Sequence, residues 1–256
     1  MSEKTPFSLS AALIVKNEEK NIRRCLESIR WIRDIVVYDS GSTDKTPDIC
    51  RAYGCRLFEG EWLGFGPAKQ FAVSQTLHDW VLVIDADEEV SPELKEEILA
   101  VIENPVFDGY RIRRLSYYLG RLIRHSGWNR DDTLRLFHKE RGHFNDKQVH
   151  ESVQILSGSI GKIESPLYHY TYPDINTHLR KISHYTDLAA ESAVRQGKRS
   201  VLFLAFIKAD FKFFKMYFLQ AGFLDGWEGL ILASVSAFGV FLKYVKISRL
   251  SRGKKV

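Results

Sequence analysis

The densest chemistry in this sequence is Asp85-Ala86-Asp87, two carboxylates two residues apart, directly after the apolar run 81–84. Charges this close repel, and a divalent cation would offset the repulsion. Carboxylate ligands suit the hard cations Mg2+ or Mn2+, and such an ion neutralises a departing diphosphate. The plain alternative is an acidic surface loop. Two more polar clusters follow apolar runs: Lys16-Asn17-Glu18-Glu19 after residues 9–15, and Asp39-Ser40-Gly41-Ser42-Thr43-Asp44 after residues 35–38. The amide and carboxylate of the first suit a nucleobase edge or a ribose. The second puts a carboxylate at a strand tip before a turn rich in hydroxyls. Taken alone, the first reads as a helix cap and the second as a capped turn.

The elements that must position these groups are legible from periodicity. Residues 9–15 are an apolar run, followed by a polar break and then Ile22, Leu26 and Ile29 at helical spacing. Residues 35–38, a polar loop, a helix over about 46–53 and a strand over 56–59 repeat the pattern, and repeated strand–helix units imply a parallel sheet. Residues 80–84 form a fourth strand. Ser91 then reads as the N-cap, with Pro92 at the first position, of a helix reaching about residue 102. In an open parallel sheet ligands bind at the carboxyl ends of the strands, which is where all three polar clusters fall.

Residues 109–170 change character, with alternating stretches such as 109–115 and 149–156 between polar loops, and predict antiparallel or edge strands. This half is expected to hold the acceptor. Leu179, Ile182, Leu188 and Val194 then predict a helix over 175–196, with Gly197 as C-cap. The expected organisation is a main domain over 1–197, with halves 8–105 and 106–197, and a distinct segment over 198–256.

That last segment holds 11 Lys or Arg against 3 Asp or Glu, a net of +8, whereas the whole chain carries +5, so the first 197 residues are net acidic at −3. What lies between the charges decides the partner. Phe203, Phe206, Phe211, Phe213, Phe214, Tyr217 and Phe218 interleave with Lys208, Lys212 and Lys215, the pattern of a helix lying in an anionic membrane surface; a core-packing helix is the alternative. Residues 229–242 carry no charge but are too few for the roughly 20 that cross a bilayer core. Stacking platforms for nucleic acid normally sit on strands, so no nucleic-acid partner is expected. Cys25, Cys50 and Cys55 lack metal-ligand spacing and read as reduced structural residues. No apolar run precedes a cleavage site in residues 1–10, so the expected location is cytoplasmic, peripheral on the inner face of the plasma membrane.

Together, Asn17-Glu18, the Asp39 loop and Asp85-Ala86-Asp87, each after an apolar strand and in this order, resemble the family 2 glycosyltransferases over about residues 8–170. The resemblance implies an α/β fold of GT-A type, a Rossmann-like nucleotide-sugar domain with a mainly parallel sheet, here followed by C-terminal amphipathic helices. It implies a uridine diphosphate (UDP) sugar donor, with Glu18 and Asp39 on the uridine, Asn17 and Ser42 beside them, Asp85 toward the ribose and Asp87 toward a metal-bound diphosphate. Lys69 follows Gly64-Phe65-Gly66-Pro67-Ala68, a loop of the kind that in this family precedes a helix near the donor; a solvated helix residue is the alternative. The Gln-x-x-Arg-Trp sequence of many members is missing, which argues against a processive polymerase. Arg135-Leu136-Phe137 and Val149-His150-Glu151 resemble a compact subgroup that includes lipopolysaccharide core glucosyltransferases.

Inverting transfer needs a general base for the acceptor hydroxyl, for which Glu151 is the first choice and Asp132 the second. His150 is a candidate metal or diphosphate ligand, its alternative being a packed, hydrogen-bonded strand residue. Arg135 and Arg130 can take phosphate in bidentate fashion, among Arg111, Arg113, Arg114, Arg121 and Arg124, most of which read as solvated surface. The expected acceptor is a lipid-linked glycan. Two other classes compete. A sugar nucleotidyltransferase would need a Gly- and Arg-rich, Lys-containing N-terminal phosphate loop, which is absent. A non-catalytic membrane adaptor on the same fold would have no need of the acidic residues.

Overall fold

The computed structural model describes residues 8–128, 131–144, 153–155 and 158–253. Strands β1 (Leu9–Val15), β2 (Asp34–Asp39), β3 (Arg56–Glu59) and β4 (Trp80–Val83) alternate with helices α1 (Ile22–Ser28), α2 (Thr46–Ala52) and α3 (Phe65–Ser74). Short β5 (Glu88–Val90) and α4 (Pro92–Glu103) follow. Next come β6 (Gly109–Tyr118), β7 (Arg121–Leu122), β8 (Asp131–His138), β9 (Gly142–Phe144), β10 (Val153–Ile155) and β11 (Ile160–Tyr172). Strand order is β3-β2-β1-β4-β8-β6-β11-β5, with β7 beside β6 and a separate β9–β10 pair. β1 pairs in parallel with β2 and β4, and β2 with β3, while β8 pairs antiparallel with both β4 and β6.

The alternation of side chains in a strand explains why these runs are apolar throughout. Leu9, Ala11, Leu13 and Val15 of β1 face a core shared with Cys25 and Leu26 of α1 and Leu94 and Ile98 of α4. Ala12, Val36, Val81 and Val83 face the opposite core with Ala68, Ala72 and Val73 of α3. Ser91 caps α4, its hydroxyl accepting from the Leu94 amide at 3.1 Å with Pro92 as the first residue, as the sequence predicts. The three cysteines are free thiols.

By packing the chain forms two compact units, residues 1–114 with 131–169, and residues 115–130 with 170–256. The second holds α5 (Ile175–Arg195), α6 (Leu202–Phe214), a π-helical turn (Lys215–Leu219), a 3-10 turn (Gly222–Asp225) and α7 (Gly226–Leu250). α7 runs well past the uncharged stretch 229–242, because α5 and α7 share residues such as Ala190, Ala193 and Ile247 in one small core. The loop 123–128 closes onto buried Asp225, whose carboxylate accepts from the amides of Arg124 and His125 and from Ser126 Oγ, and meets His125 Nδ1, all at 3.0–3.1 Å.

Candidate active site

The parallel register puts the carboxyl ends of β1, β2 and β4 side by side, and the loops behind them are tied together. Asn17, in left-handed conformation at φ 56°, which Asn tolerates, donates its amide to Ser42 Oγ at 2.9 Å. Its side-chain oxygen accepts from the Thr43 amide at 2.7 Å. The Glu18 amide donates to Thr46 Oγ1 at 2.8 Å, and Asn21 donates to the Glu18 carboxylate at 2.9 Å. Asn17 and Ser42 therefore tie the two loops together, Asn17 through its backbone amide to Ser42 and its side-chain oxygen to Thr43. Asp39, 1% exposed, accepts from the Ser42 amide through Oδ1 at 2.7 Å, while its Oδ2 is buried with no hydrogen-bond partner. A buried acceptor left unmatched is costly and marks a place for a donor from outside the chain.

At the tip of β4 the carboxylates part company. Asp85 Oδ1 lies 2.8 Å from Lys69 Nζ and Oδ2 lies 2.7 Å from Arg135 Nη2. Burial alone would raise the Asp85 carboxyl, but the Arg135 and Lys69 charges outweigh it and hold it well below the ordinary carboxylate range. This chain's own cations thus already compensate the charge of Asp85, the carboxylate assigned from the sequence to the ribose. Asp87 points elsewhere, to His169 Nε2 at 3.3 Å.

Lys69 is corrected in its setting. The segment 65–68 is not a loop but the first turn of α3, and Lys69 lies inside the helix, 6% exposed, reaching Asp85. The solvated-residue alternative fails there. Arg135 comes from β8, brought to the tip of β4 by the antiparallel pairing Leu82 with Leu136. Burial would lower its guanidinium, yet Asp85 and Glu88 raise it well above the ordinary value.

The sequence reading missed Glu88, Arg114, Asp131 and His169. Glu88, fully buried, accepts from the Asp85 amide at 2.9 Å and Arg135 at 2.6 Å and pairs with Arg114 at 3.3 Å, while Arg114 also holds Asp131. Glu88 was findable, since it directly follows Asp85-Ala86-Asp87. Arg114 looked like one of several surface arginines, but its β6 register opposite Asp131 turns it inward. His169 carries no local signal. Only the pairing of β11 with β5, which sets His169 opposite Glu88, brings it to Asp87.

A cavity of about 890 Å3 opens on this network, with Lys69, Asp85, Arg111, Asp132 and Arg135 in its wall. Asp132 is half-buried, its carboxylate 3.5 Å from Lys162 Nζ. Glu151, His150 and Arg130, named from the sequence, lie outside the described residues. Among the described residues no three His, Cys, Asp or Glu side chains converge as a metal site. The donor set that fits a divalent cation is the carboxylate of Asp87 with the imidazole of His169, both ligands that Mg2+ or Mn2+ chemistry permits, most readily Mn2+.

A sequence profile described as Glycosyl transferase family 2 matches residues 10–161. The chain belongs to glycosyl transferase family 2. Relatives run over nearly all of it. An uncharacterized glycosyltransferase of Rickettsia bellii is 32% identical, covering 98% of this chain and 90% of its own length. The lipopolysaccharide core biosynthesis glycosyltransferase LpsC of Rhizobium meliloti is 30% identical, covering 93% and 91%. In structure this family 2 chain is similar to S. aureus TarS 1–349 in complex with UDP, with a TM-score of 0.53 at 15% identity over 96% of this chain and 92% of that one. That likeness is one of fold, and the fold is GT-A, mixed α/β around a mostly parallel sheet, as expected from the sequence.

Proposed function

We propose that this glycosyltransferase is an inverting, divalent-metal-dependent enzyme that moves a sugar from a UDP-sugar to a lipid-linked glycan, of lipopolysaccharide-core type, at the cytoplasmic face of the inner membrane. The single observation that carries the donor reading is the buried, unpaired Oδ2 of Asp39 at the tip of β2, an acceptor suited to the N3–H of uracil. The similarity to LpsC supports the acceptor class.

In this reading Lys69 and Arg135 keep Asp85 ionised and fixed beside the donor. Asp87, with His169, would hold the cation, which neutralises the diphosphate as it leaves. His150 is a further ligand candidate. The acceptor oxygen attacks the anomeric carbon from the face opposite the diphosphate, the carbon–oxygen bond to the diphosphate breaks, and the acceptor proton passes to a carboxylate. Glu151 is the preferred base and Asp132, on the cavity wall, the second.

The test is turnover with a panel of UDP- and GDP-sugars and a core-type glycolipid, with the product anomer read by NMR. UDP-sugar turnover with inverted configuration is expected. Glu151→Gln should lose turnover while keeping donor affinity, and Asp132→Asn should lose less. Retained configuration or a strict guanosine donor would overturn the reading.

A further inference from the structure

α7 is the one helix among the described residues long and apolar enough to cross a membrane by length and composition, within the stretch Gly222–Leu250 at a mean hydropathy of 1.7. Its packing says otherwise. One side of it is buried, at Gly229, Leu232, Ala233, Ala237 and Gly239 and again at 246–248, with 33% of its most apolar window inside the protein. At Gly239 α5 comes so close that a Cβ would lie 3.2 Å from Ile182. Lys246, almost wholly buried, donates to Ser183 O at 3.0 Å and Thr186 Oγ1 at 2.9 Å and pairs with Asp187 at 2.6 Å, all on α5. α5 itself carries Arg180, Lys181, His184, Asp187, Glu191 and Arg195. Threading α7 through a bilayer would drag that polar helix and the buried Lys246 ammonium with its partners into hydrocarbon. Between Glu228 and Lys243 α7 offers 14 uncharged residues, short of the roughly 20 a span needs.

The uncovered apolar surface lies instead on α6 and the turns after it. Phe203, Ile207, Phe211, Phe214 and Phe218 recur at helical spacing and are exposed, Phe203 at 73%, and Trp227 at the start of α7 is 76% exposed. Ala205 and Met216 on the opposite side are buried. Lys208 and Lys215 flank the exposed face. The segment's net charge of +8 complements an anionic surface. Asp210 is exposed within the apolar face and limits how deep it can sink.

We propose that the second unit is a monotopic anchor that lays the phenylalanine face of α6 and the following turns into one leaflet of an anionic bilayer, with α7 as its internal strut and not a membrane span. The proposal deepens the membrane reading given above and says on which side of the bilayer both ends of α7 must lie.

The test uses the full chain and sealed phosphatidylcholine vesicles with and without about one-third phosphatidylglycerol. Co-flotation with the anionic vesicles is expected, weakened by salt. Phe203→Asp with Phe214→Asp should cut binding roughly tenfold or more, and Asp210→Asn should strengthen it. Arg121→Cys, beside the start of α7 where Arg121 lies 3.5 Å from Glu228, and Arg252→Cys, probed one at a time with a membrane-impermeant maleimide outside the vesicles, should both label, the unsubstituted chain giving the background of its own cysteines. Protection of one end means that α7 spans and overturns the proposal. So do binding that survives the Asp pair, weaker binding by Asp210→Asn, and a stable dimer in place of vesicle binding. UDP-induced thermal stabilisation, measured on the same variants, should not change. Its absence in every protein, vesicle binding being intact, would count against the donor reading and leave the anchor standing.

Discussion

Asp39 in the first unit and Asp225 in the second are both almost completely buried, and the two are used in opposite ways. Asp225 is 2% exposed and meets donors on both oxygens, from three consecutive residues of one loop. Asp39 is 1% exposed and satisfied on one oxygen only. A carboxylate with every lone-pair direction answered holds a fold together, whereas one with an oxygen unanswered stores a cost that a ligand can relieve. Asp85, clamped by two cations, likewise differs from Asp87, which lies 3.3 Å from the His169 imidazole.

The largest expected effect on that contrast is at Asp87. Asp87→Ala should abolish metal-dependent turnover while leaving the melting temperature close to that of the parent; equal turnover in chelator would remove the metal from the account. Next comes Asp225→Ala, which strands several buried donors and should cost about 3 kcal/mol of stability, a drop on the order of 10 °C in melting temperature. Donor affinity of the folded fraction should be unchanged, and a loss of UDP binding there would blur the division between structural and ligand-directed carboxylates. Asp39→Asn should do the reverse, weakening UDP roughly tenfold by calorimetry, as a charge-assisted bond becomes neutral, with little change in stability.

The smallest effect concerns pH. Burial, with Lys181 adding to it, holds His178 of the second unit down at about 4, against about 6.5 when unfolded. Between those values the unfolded chain binds more protons, so the contribution is complete above about 6.5 and declines as pH falls toward about 4. Asp85 is also depressed, so its contribution is present above the unfolded carboxylate value and is lost only in stronger acid, as pH falls through its own. Titrating from pH 7 to 5 should therefore loosen the second unit, read by hydrogen exchange around His178, before the first. The opposite order would contradict the assignment.

Much of the first unit was legible in the sequence, because a parallel sheet covered on both faces writes its strands as continuous apolar runs and leaves polar tips behind them. Asp39, Asp85 and Asp87 were found that way. What was not legible depends on pairing between distant strands. His169 reaches Asp87 through the β11–β5 register and Arg114 turns inward through β6–β8, and neither has a signature within a short window. The N-terminal turn of α3 looked like a loop because Gly64, Gly66 and Pro67 are turn residues, yet Gly64 at φ 92° starts the helix and Pro67 fits its first turn. In the second unit composition changes at residue 198, whereas packing changes at 115 and 170, since α5 shares its core with α7.

A uridine nucleotide and a cation are proposed to bind at the carboxyl ends of β1, β2 and β4, beside the unpaired Asp39 Oδ2. That binding is tested most directly by the melting temperature with UDP or GDP, with and without Mn2+, since a ligand that binds only the native state raises it. Stabilisation by UDP is expected to grow with Mn2+, to be weak with GDP and to be reduced in Asp39→Asn; no shift with any nucleotide, or an equal shift in Asp39→Asn, would rule that binding mode out.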